Sequence, residues 1–182
     1  MILLIHGPSH TGKTTLAQQL LERYRMPYLS IDHLKMGLIR SGQTSLTPLD
    51  DDLLTEYLWP ILREIIKTAV ENGQNLIVEG CYIPYDWKRS FAAEYAAQIH
   101  SICLVFSRKY IERNFAQIAR YANAVEQRLD DSSLSQQDLI LQNETALREC
   151  TAAGCPYWLI EETYRLPSVL EEIISETYAT KI

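Results

Sequence analysis

Hydrophobic positions in this chain alternate between short unbroken runs and longer stripes of helical spacing. Residues 1–5 are apolar throughout and of strand length, and residues 14–24 then carry Leu16, Ala17, Leu20 and Leu21 on one helical face. Residues 27–31 predict a second short strand. Asp32 ends that strand and can cap the short helical segment 33–39. A polar loop over 41–48 leads into a long helical pattern, 51–71, whose stripe runs Leu54, Leu58, Ile61/Leu62, Ile65/Ile66 and Ala69. Asp50, Asp51 and Asp52 suit the positive end of its dipole. Pro60 lies inside the stripe, and it is expected to kink the helix or split it in two.

After the stop signal Asn72-Gly73, residues 75–79 predict a third strand. Residues 84–97 predict a helix in which Trp87, Phe91 and Tyr95, four apart, form a core-facing row. A fourth strand is expected over 99–106, and a long basic helix over 108–129 contains Arg108, Lys109, Arg113, Arg120 and Arg128. Ser135 to Asp138 resembles a capping box and opens a helix that Gly154 and Pro156 end. Residues 157–160 form the fifth strand. An amphipathic helix over 166–178 closes the pattern, with Leu170, Ile173 and Ile174 inward. Five apolar strands separated by helices predict an α/β fold, a parallel sheet covered on both faces with right-handed crossovers. No linker, repeat or low-complexity segment divides residues 1–182, which are expected to form one domain.

Composition narrows the classes. The 182 residues are 47% apolar and 22% charged, as in a water-soluble globular protein. No apolar run approaches the ~20 residues that span a bilayer, and no cationic leader precedes the first strand. The formal charge of −6 argues against long polynucleotides as partners, since a nucleic-acid binder usually carries a basic face. The cysteines, Cys81, Cys103, Cys150 and Cys155, match no zinc template. They read as reduced thiols of a cytoplasmic protein, with a 150–155 disulfide or metal site as the alternative.

The chemistry begins at Gly7-Pro8-Ser9-His10-Thr11-Gly12-Lys13-Thr14, which fills every fixed position of G-x-x-x-x-G-K-[ST]. A strand feeds this turn and a helix leaves it, as a phosphate-binding loop requires. Glycine lets the backbone wrap an anion closely. The loop's N–H groups and the helix N-terminus then point at phosphate oxygens. Residues 7–14 with Thr15 are therefore the expected nucleoside triphosphate site. Lys13 brings a positive charge to the transferring phosphoryl group, and the Thr14 hydroxyl is placed to ligate Mg²⁺.

Ligands of an open parallel sheet gather at the carboxyl ends of its strands. Asp32 follows the second strand and Glu79 ends the third. Asp32 suits the base, or the orienting carboxylate, for an acceptor hydroxyl; Glu79 suits the metal. At this level the two roles are interchangeable, and a plain helix cap is the alternative for Asp32. Arg113 and Arg120 are seven apart, on roughly one helix face with Tyr110 and Gln117, and can supply cations to the phosphoryl group. Lys35 and Arg40, just after Asp32, could bind an anionic acceptor. His6 and His10 read as variable loop residues.

Taken together, Gly7 to Thr14, Ser30-Ile31-Asp32, Ile77-Val78-Glu79-Gly80 and the arginine-bearing segment resemble the small P-loop kinases. That group includes adenylate, shikimate, gluconate, 2-phosphoglycerate and zeta-toxin-like kinases. The resemblance covers almost the whole chain by element order and is specific in the loop. It implies a three-layer P-loop NTPase fold with strand order 2-3-1-4-5 and a lid within 108–135. It also implies an acceptor contact at Asp32 and ATP-phosphate contacts at Arg113 or Arg120. The expected activity is ATP-dependent, Mg²⁺-assisted transfer of a γ-phosphate to a hydroxyl of a small molecule. The alternatives are a nucleotide-binding or hydrolysing protein without such activity, and a toxin-like or RNA-end kinase. The paired arginines and Gly-rich stretch of nucleoside-monophosphate acceptor sites are not evident, which leaves the acceptor open. The guanine-reading N-K-x-D element is absent from the sequence.

Overall fold

The strand Ile2–His6 (β1) is buried along its full length because both of its faces meet helices. Ile2 and Leu4 face one side, where the helices Ile31–Arg40 (α2) and Asp51–Glu71 (α3) pack; Leu3 and Ile5 face the other, against the helix Lys13–Tyr24 (α1). The computed structural model describes residues 1–121, 135–165, 170–172 and 174. Its strands Tyr28–Ser30 (β2), Leu76–Glu79 (β3), Ile99–Phe106 (β4) and Tyr157–Ile160 (β5) join β1 in one parallel sheet. The order is β2-β3-β1-β4-β5, as the resemblance implied. Register brings Ser30 and Ile5 level with Glu79.

Two elements differ from expectation. The segment 84–97 is not one helix: it forms a single 3₁₀ turn, Trp87–Ser90, and a short helix, Ala93–Ala96 (α4). Trp87 and Phe91 still serve the core, meeting edge to face at 6.1 Å, so aromatic packing determined this segment and helical periodicity did not. The helix α3 runs unbroken through Pro60. Pro60 is exposed, as is Glu56, whose carbonyl would have accepted the missing N–H. Water can satisfy that carbonyl on the solvent face, while buried Leu58, Trp59 and Leu62 hold the inner face.

Beyond β4, the helix Arg108–Tyr121 (α5) packs on the helix Gln136–Ala153 (α6). The serine half of the expected capping box opens α6, with Ser135 Oγ accepting from the Asp138 N–H at 3.3 Å. At the other end Gly154 takes φ 63°, and the Cys155 N–H bonds back to the Cys150 carbonyl at 2.9 Å. This turn brings Cys150 and Cys155 into one buried cluster with Cys103, and all are free thiols. The 150–155 disulfide is therefore not formed. Mutual hydrogen bonding, first with Cys103 and then through burial, pushes the Cys150 thiol up to about 12, and the bond to Cys150 does the same for Cys155. Among the described residues no group of three or more His, Cys, Asp or Glu could hold a metal by itself. Of the closing helix, Leu170 and Ile174 are buried against α1 as expected; Ile173 lies outside the described residues.

One buried polar side chain escaped the periodicity argument. Cys103 and Ser107 direct their N–H groups to the β5 side, to the carbonyls of Pro156 and Ile160. Phe106 therefore directs its own toward the side on which β1 has already ended. Asn143, 1% exposed on α6, fills the gap: its Oδ1 accepts the Phe106 N–H at 2.8 Å and its amide donates to the Leu139 carbonyl at 2.7 Å. Asn143→Ala leaves a buried N–H without its acceptor, and the expected loss is about 1–3 kcal/mol. Urea unfolding of the variant measures it.

Candidate functional site

The connection between β1 and α1, residues 7–12, is held in shape by contacts that only its own sequence permits. Gly7 has φ 125°, and a Cβ there would come within 2.4 Å of the Leu104 carbonyl oxygen. Gly12 has φ 82°, and a Cβ there would meet the Tyr164 ring at 2.8 Å. His10 also takes a left-handed φ of 66°. The Gly12 carbonyl accepts the Leu16 N–H, which starts α1, and also the Tyr164 hydroxyl at 2.7 Å. Lys13 is 6% exposed and folds its Nζ over the loop onto the Pro8 carbonyl at 2.7 Å; Thr11 Oγ1 donates to the same oxygen at 2.9 Å. Ser9 Oγ lies 3.6 Å from Cys81 Sγ. Thr15, on α1, is half-buried. The result is a tight turn at a helix N-terminus with a lysine ammonium over its crown, a geometry that suits an anion.

Glu79, at the end of β3, is 2% exposed. Thr14 Oγ1 lies 3.3 and 3.2 Å from its two carboxylate oxygens. A hydroxyl and a carboxylate are hard oxygen ligands of the kind Mg²⁺ takes. Mg²⁺ characteristically uses one or two protein oxygens and completes its shell with phosphate and water. The donor set here fits that pattern.

Asp32 stands in the first turn of α2, while Ser30 occupies the cap position. The alternative reading of Asp32 as the helix cap is thus corrected: its carboxylate Oδ1 meets Lys35 Nζ at 2.5 Å, one helical turn on. Since Ser30 sits level with Glu79, Asp32 reaches the same mouth of the sheet. Lys35 also donates to the Tyr82 hydroxyl at 3.0 Å, and Tyr82 donates to Asp51 Oδ1 at 2.8 Å. Burial, followed by the bond to Asp51, holds the Tyr82 phenol well above the ordinary tyrosine range, so it remains a donor.

The arginines divide. Arg108 is ion-paired to Glu144 on α6 at 2.7 Å and serves the packing of α5. Arg113 and Arg120 lie on the helix face opposite buried Ile111 and Ile118, and both are exposed. Tyr110 stacks against Phe106, with ring centroids 4.7 Å apart. Arg128 and residues 122–134 of the lid expected within 108–135 lie outside the described residues. His6 belongs to β1, where it is buried with its Nε2 3.3 Å from Cys155 Sγ; it is therefore not a loop residue.

Two participants were not anticipated from the sequence. Tyr164, four residues past β5, presses on Gly12, and burial raises its phenol above the usual range. Its position beyond a strand's carboxyl end was the available signal, but a search confined to carboxylates and cations passes over a tyrosine. Tyr82, three residues past β3, was missed for the same reason. Together with Asp51 it links α2 to the start of α3.

Comparison with known proteins bears on the family and the fold. A family model described as an AAA domain matches residues 2–142. No curated protein matches the chain in sequence. Among solved structures, a candidate kinase from Chloroflexus aurantiacus aligns with a TM-score of 0.58 at 22% identity, covering 98% of this chain and 96% of that one. Deoxyadenosine kinase from M. mycoides, with dCMP and a flexible dCDP bound, gives 0.56 at 10% identity, covering 98% and 100%. These likenesses are of fold. No described helix is long and apolar enough to cross a membrane.

The contact between Tyr164 and Gly12 has a measurable consequence. Gly12→Ala should destabilise by about 1–2 kcal/mol through its left-handed backbone, with steric conflict in addition. Combined with Tyr164→Ala, the loss should fall short of the sum by at least ~0.5 kcal/mol, because the ring that clashes is gone. Denaturant unfolding of the two single variants and the double variant gives the cycle; additive losses would mean that the ring does not press on Gly12.

Proposed function

The chain belongs to the AAA domain family, and from that premise we propose that it is an ATP-dependent phosphotransferase acting on a hydroxyl of a small molecule. One observation carries the reading. The sheet order β2-β3-β1 sets the glycine-bearing loop, Glu79 and Asp32 side by side at the carboxyl ends of adjacent strands. A nucleotide-binding protein with no transfer function needs the loop. It does not need a second carboxylate just past the end of the neighbouring strand.

In this reading residues 7–15 hold the triphosphate: Gly7, Pro8, Ser9, His10, Thr11 and Gly12 through backbone N–H groups, Lys13 through its ammonium, Thr14 and Thr15 at the helix N-terminus. Lys13 exchanges the Pro8 carbonyl for phosphate oxygens when the nucleotide enters. Thr14 and Glu79 are the residues that would hold Mg²⁺, which when bound neutralises charge on the β- and γ-phosphates. Asp32 orients the acceptor. The acceptor oxygen bonds to the γ-phosphorus, the bond from that phosphorus to the β,γ-bridging oxygen breaks, and ADP leaves with the electron pair. The hydroxyl proton passes to the Asp32 carboxylate and then to solvent. Lys35 aims Asp32 through their ion pair. Arg113 and Arg120 are assigned to the charge on the transferring phosphoryl group.

Lys13→Ala should weaken ATP binding by about 10- to 100-fold, the scale of a charge-assisted hydrogen bond of about 1.5–3 kcal/mol. Titration calorimetry checks it, and unchanged affinity would remove the loop from the nucleotide site. Asp32→Asn keeps the side chain's size but removes its charge and basicity. Here kcat should fall by about two to four powers of ten with ATP affinity little changed. Near-normal turnover by Asp32→Asn would make Glu79 the candidate base.

A further inference from the structure

Tyr82 stands three residues past β3 and is 5% exposed, packed into the core on the side of the sheet where α2 and α3 lie. Its hydroxyl has two partners of opposite kind. It accepts from Lys35 Nζ at 3.0 Å and donates to Asp51 Oδ1 at 2.8 Å. Lys35 Nζ in turn meets Asp32 Oδ1 at 2.5 Å, and it lies 5.0 Å from the centre of the Tyr82 ring. Chemistry fixes the direction of each bond, since an ammonium only donates and an ionised carboxylate only accepts. The segment that carries Tyr82 is itself seated on α2: a Cβ at Gly80 would lie 2.8 Å from Cβ of Ile31, the residue before Asp32.

A lysine ammonium rides on a flexible four-carbon stem. The Asp32 side chain is 33% exposed, and one ion pair at such a site does little to hold either group in place. A phenol is different. Its ring has two torsions, both locked here by core packing, so its oxygen is a fixed point. The bond to Asp51 directs the phenolic proton toward α3, which leaves the oxygen's lone pairs to Lys35. Lys35 is thereby held from two sides, and its side chain is 12% exposed. A carboxylate that must meet an acceptor hydroxyl within a fraction of an ångström gains from such a support, because small misplacements are costly in rate.

We propose that Tyr82 is a positioning residue for phosphoryl transfer, with Asp51 as its anchor: it holds Lys35, and through Lys35 it sets Asp32 toward the acceptor hydroxyl. This inference rests on the phosphotransfer reading above. The transfer step is the one already written; the hydroxyl proton passes to Asp32, and neither Lys35 nor Tyr82 gains or loses a proton. Tyr82 reaches Asp32 only through Lys35, so its effect on rate disappears where the lysine is absent. A tie that serves only to hold α2 against α3 changes stability and leaves the rate of the folded protein alone.

The test incubates the full chain with Mg²⁺, γ-³²P-labelled ATP and a small-metabolite extract freed of macromolecules, and counts label in new phosphomonoesters as the extract is diluted. Tyr82→Phe keeps the ring and removes the hydroxyl. Its plateau rate should fall about tenfold, the scale of a sub-ångström displacement. The extract concentration giving half the plateau should stay within about threefold, and ATP affinity in calorimetry should be unchanged. Lys35→Met should lose at least as much rate, and the double variant no more than Lys35→Met alone. Asp51 is exposed, so Asp51→Ala removes the anchor without opening the core and gives a second route to the same loss of plateau. A normal plateau in Tyr82→Phe, or losses that multiply in the double variant, would overturn the inference and leave the kinase reading standing. A large rise in the half-saturating extract concentration with the plateau preserved would also overturn it, by making Tyr82 an acceptor contact. No label with the unaltered protein, with ATP still bound in calorimetry, would overturn the kinase reading and this inference with it.

Discussion

A carboxylate removed from water must find partners or lose its charge, and Glu79 is 2% exposed at the end of an interior strand. Its solution shapes the whole mouth of the sheet. Thr14, at the first turn of α1, bonds both carboxylate oxygens, which fixes the start of that helix against β3. The helix start in turn fixes the loop behind it, where Leu104 and Tyr164 close in so tightly that positions 7 and 12 have no room for a Cβ. Ser30 lies level with Glu79, and so the first turn of α2 delivers Asp32 to the same edge. Sheet order, loop shape and carboxylate placement are consequences of one another.

A second constraint lies on the acceptor side. Lys35, Tyr82 and Asp51 come from three separate elements, and their bonds hold α2 and α3 together beside the mouth. The tie is polar and partly exposed, so its contribution to stability is small beside that of the buried Leu54, Leu58 and Leu62 on α3. Its larger effect is on charge. It engages Lys35, the cation one helical turn from Asp32.

Much of this was legible in the sequence because the relevant signals are local. The loop spans residues 7–14 without interruption, β4 was delimited at 99–106 by its apolar run, and Ser135 and Gly154 mark both ends of α6. What was not legible depended on distant partners. The 84–97 segment has helical spacing, yet Trp87 and Phe91 are placed by packing and no continuous helix forms. Pro60 was expected to disrupt α3, but whether a proline disrupts depends on which face it occupies. Asp32 could not be told from a cap until Ser30 was seen in that position. Tyr164 and Gly12 are 152 positions apart, and no periodicity in either neighbourhood connects them.

The central claim is that the γ-phosphate is transferred to an acceptor, not to water. Phosphorus NMR of ATP, Mg²⁺, the protein and a mixture of small hydroxyl metabolites observes both fates at once. The account predicts a phosphomonoester resonance that grows mole for mole with ADP. Release of the γ-phosphate solely as inorganic phosphate would contradict it.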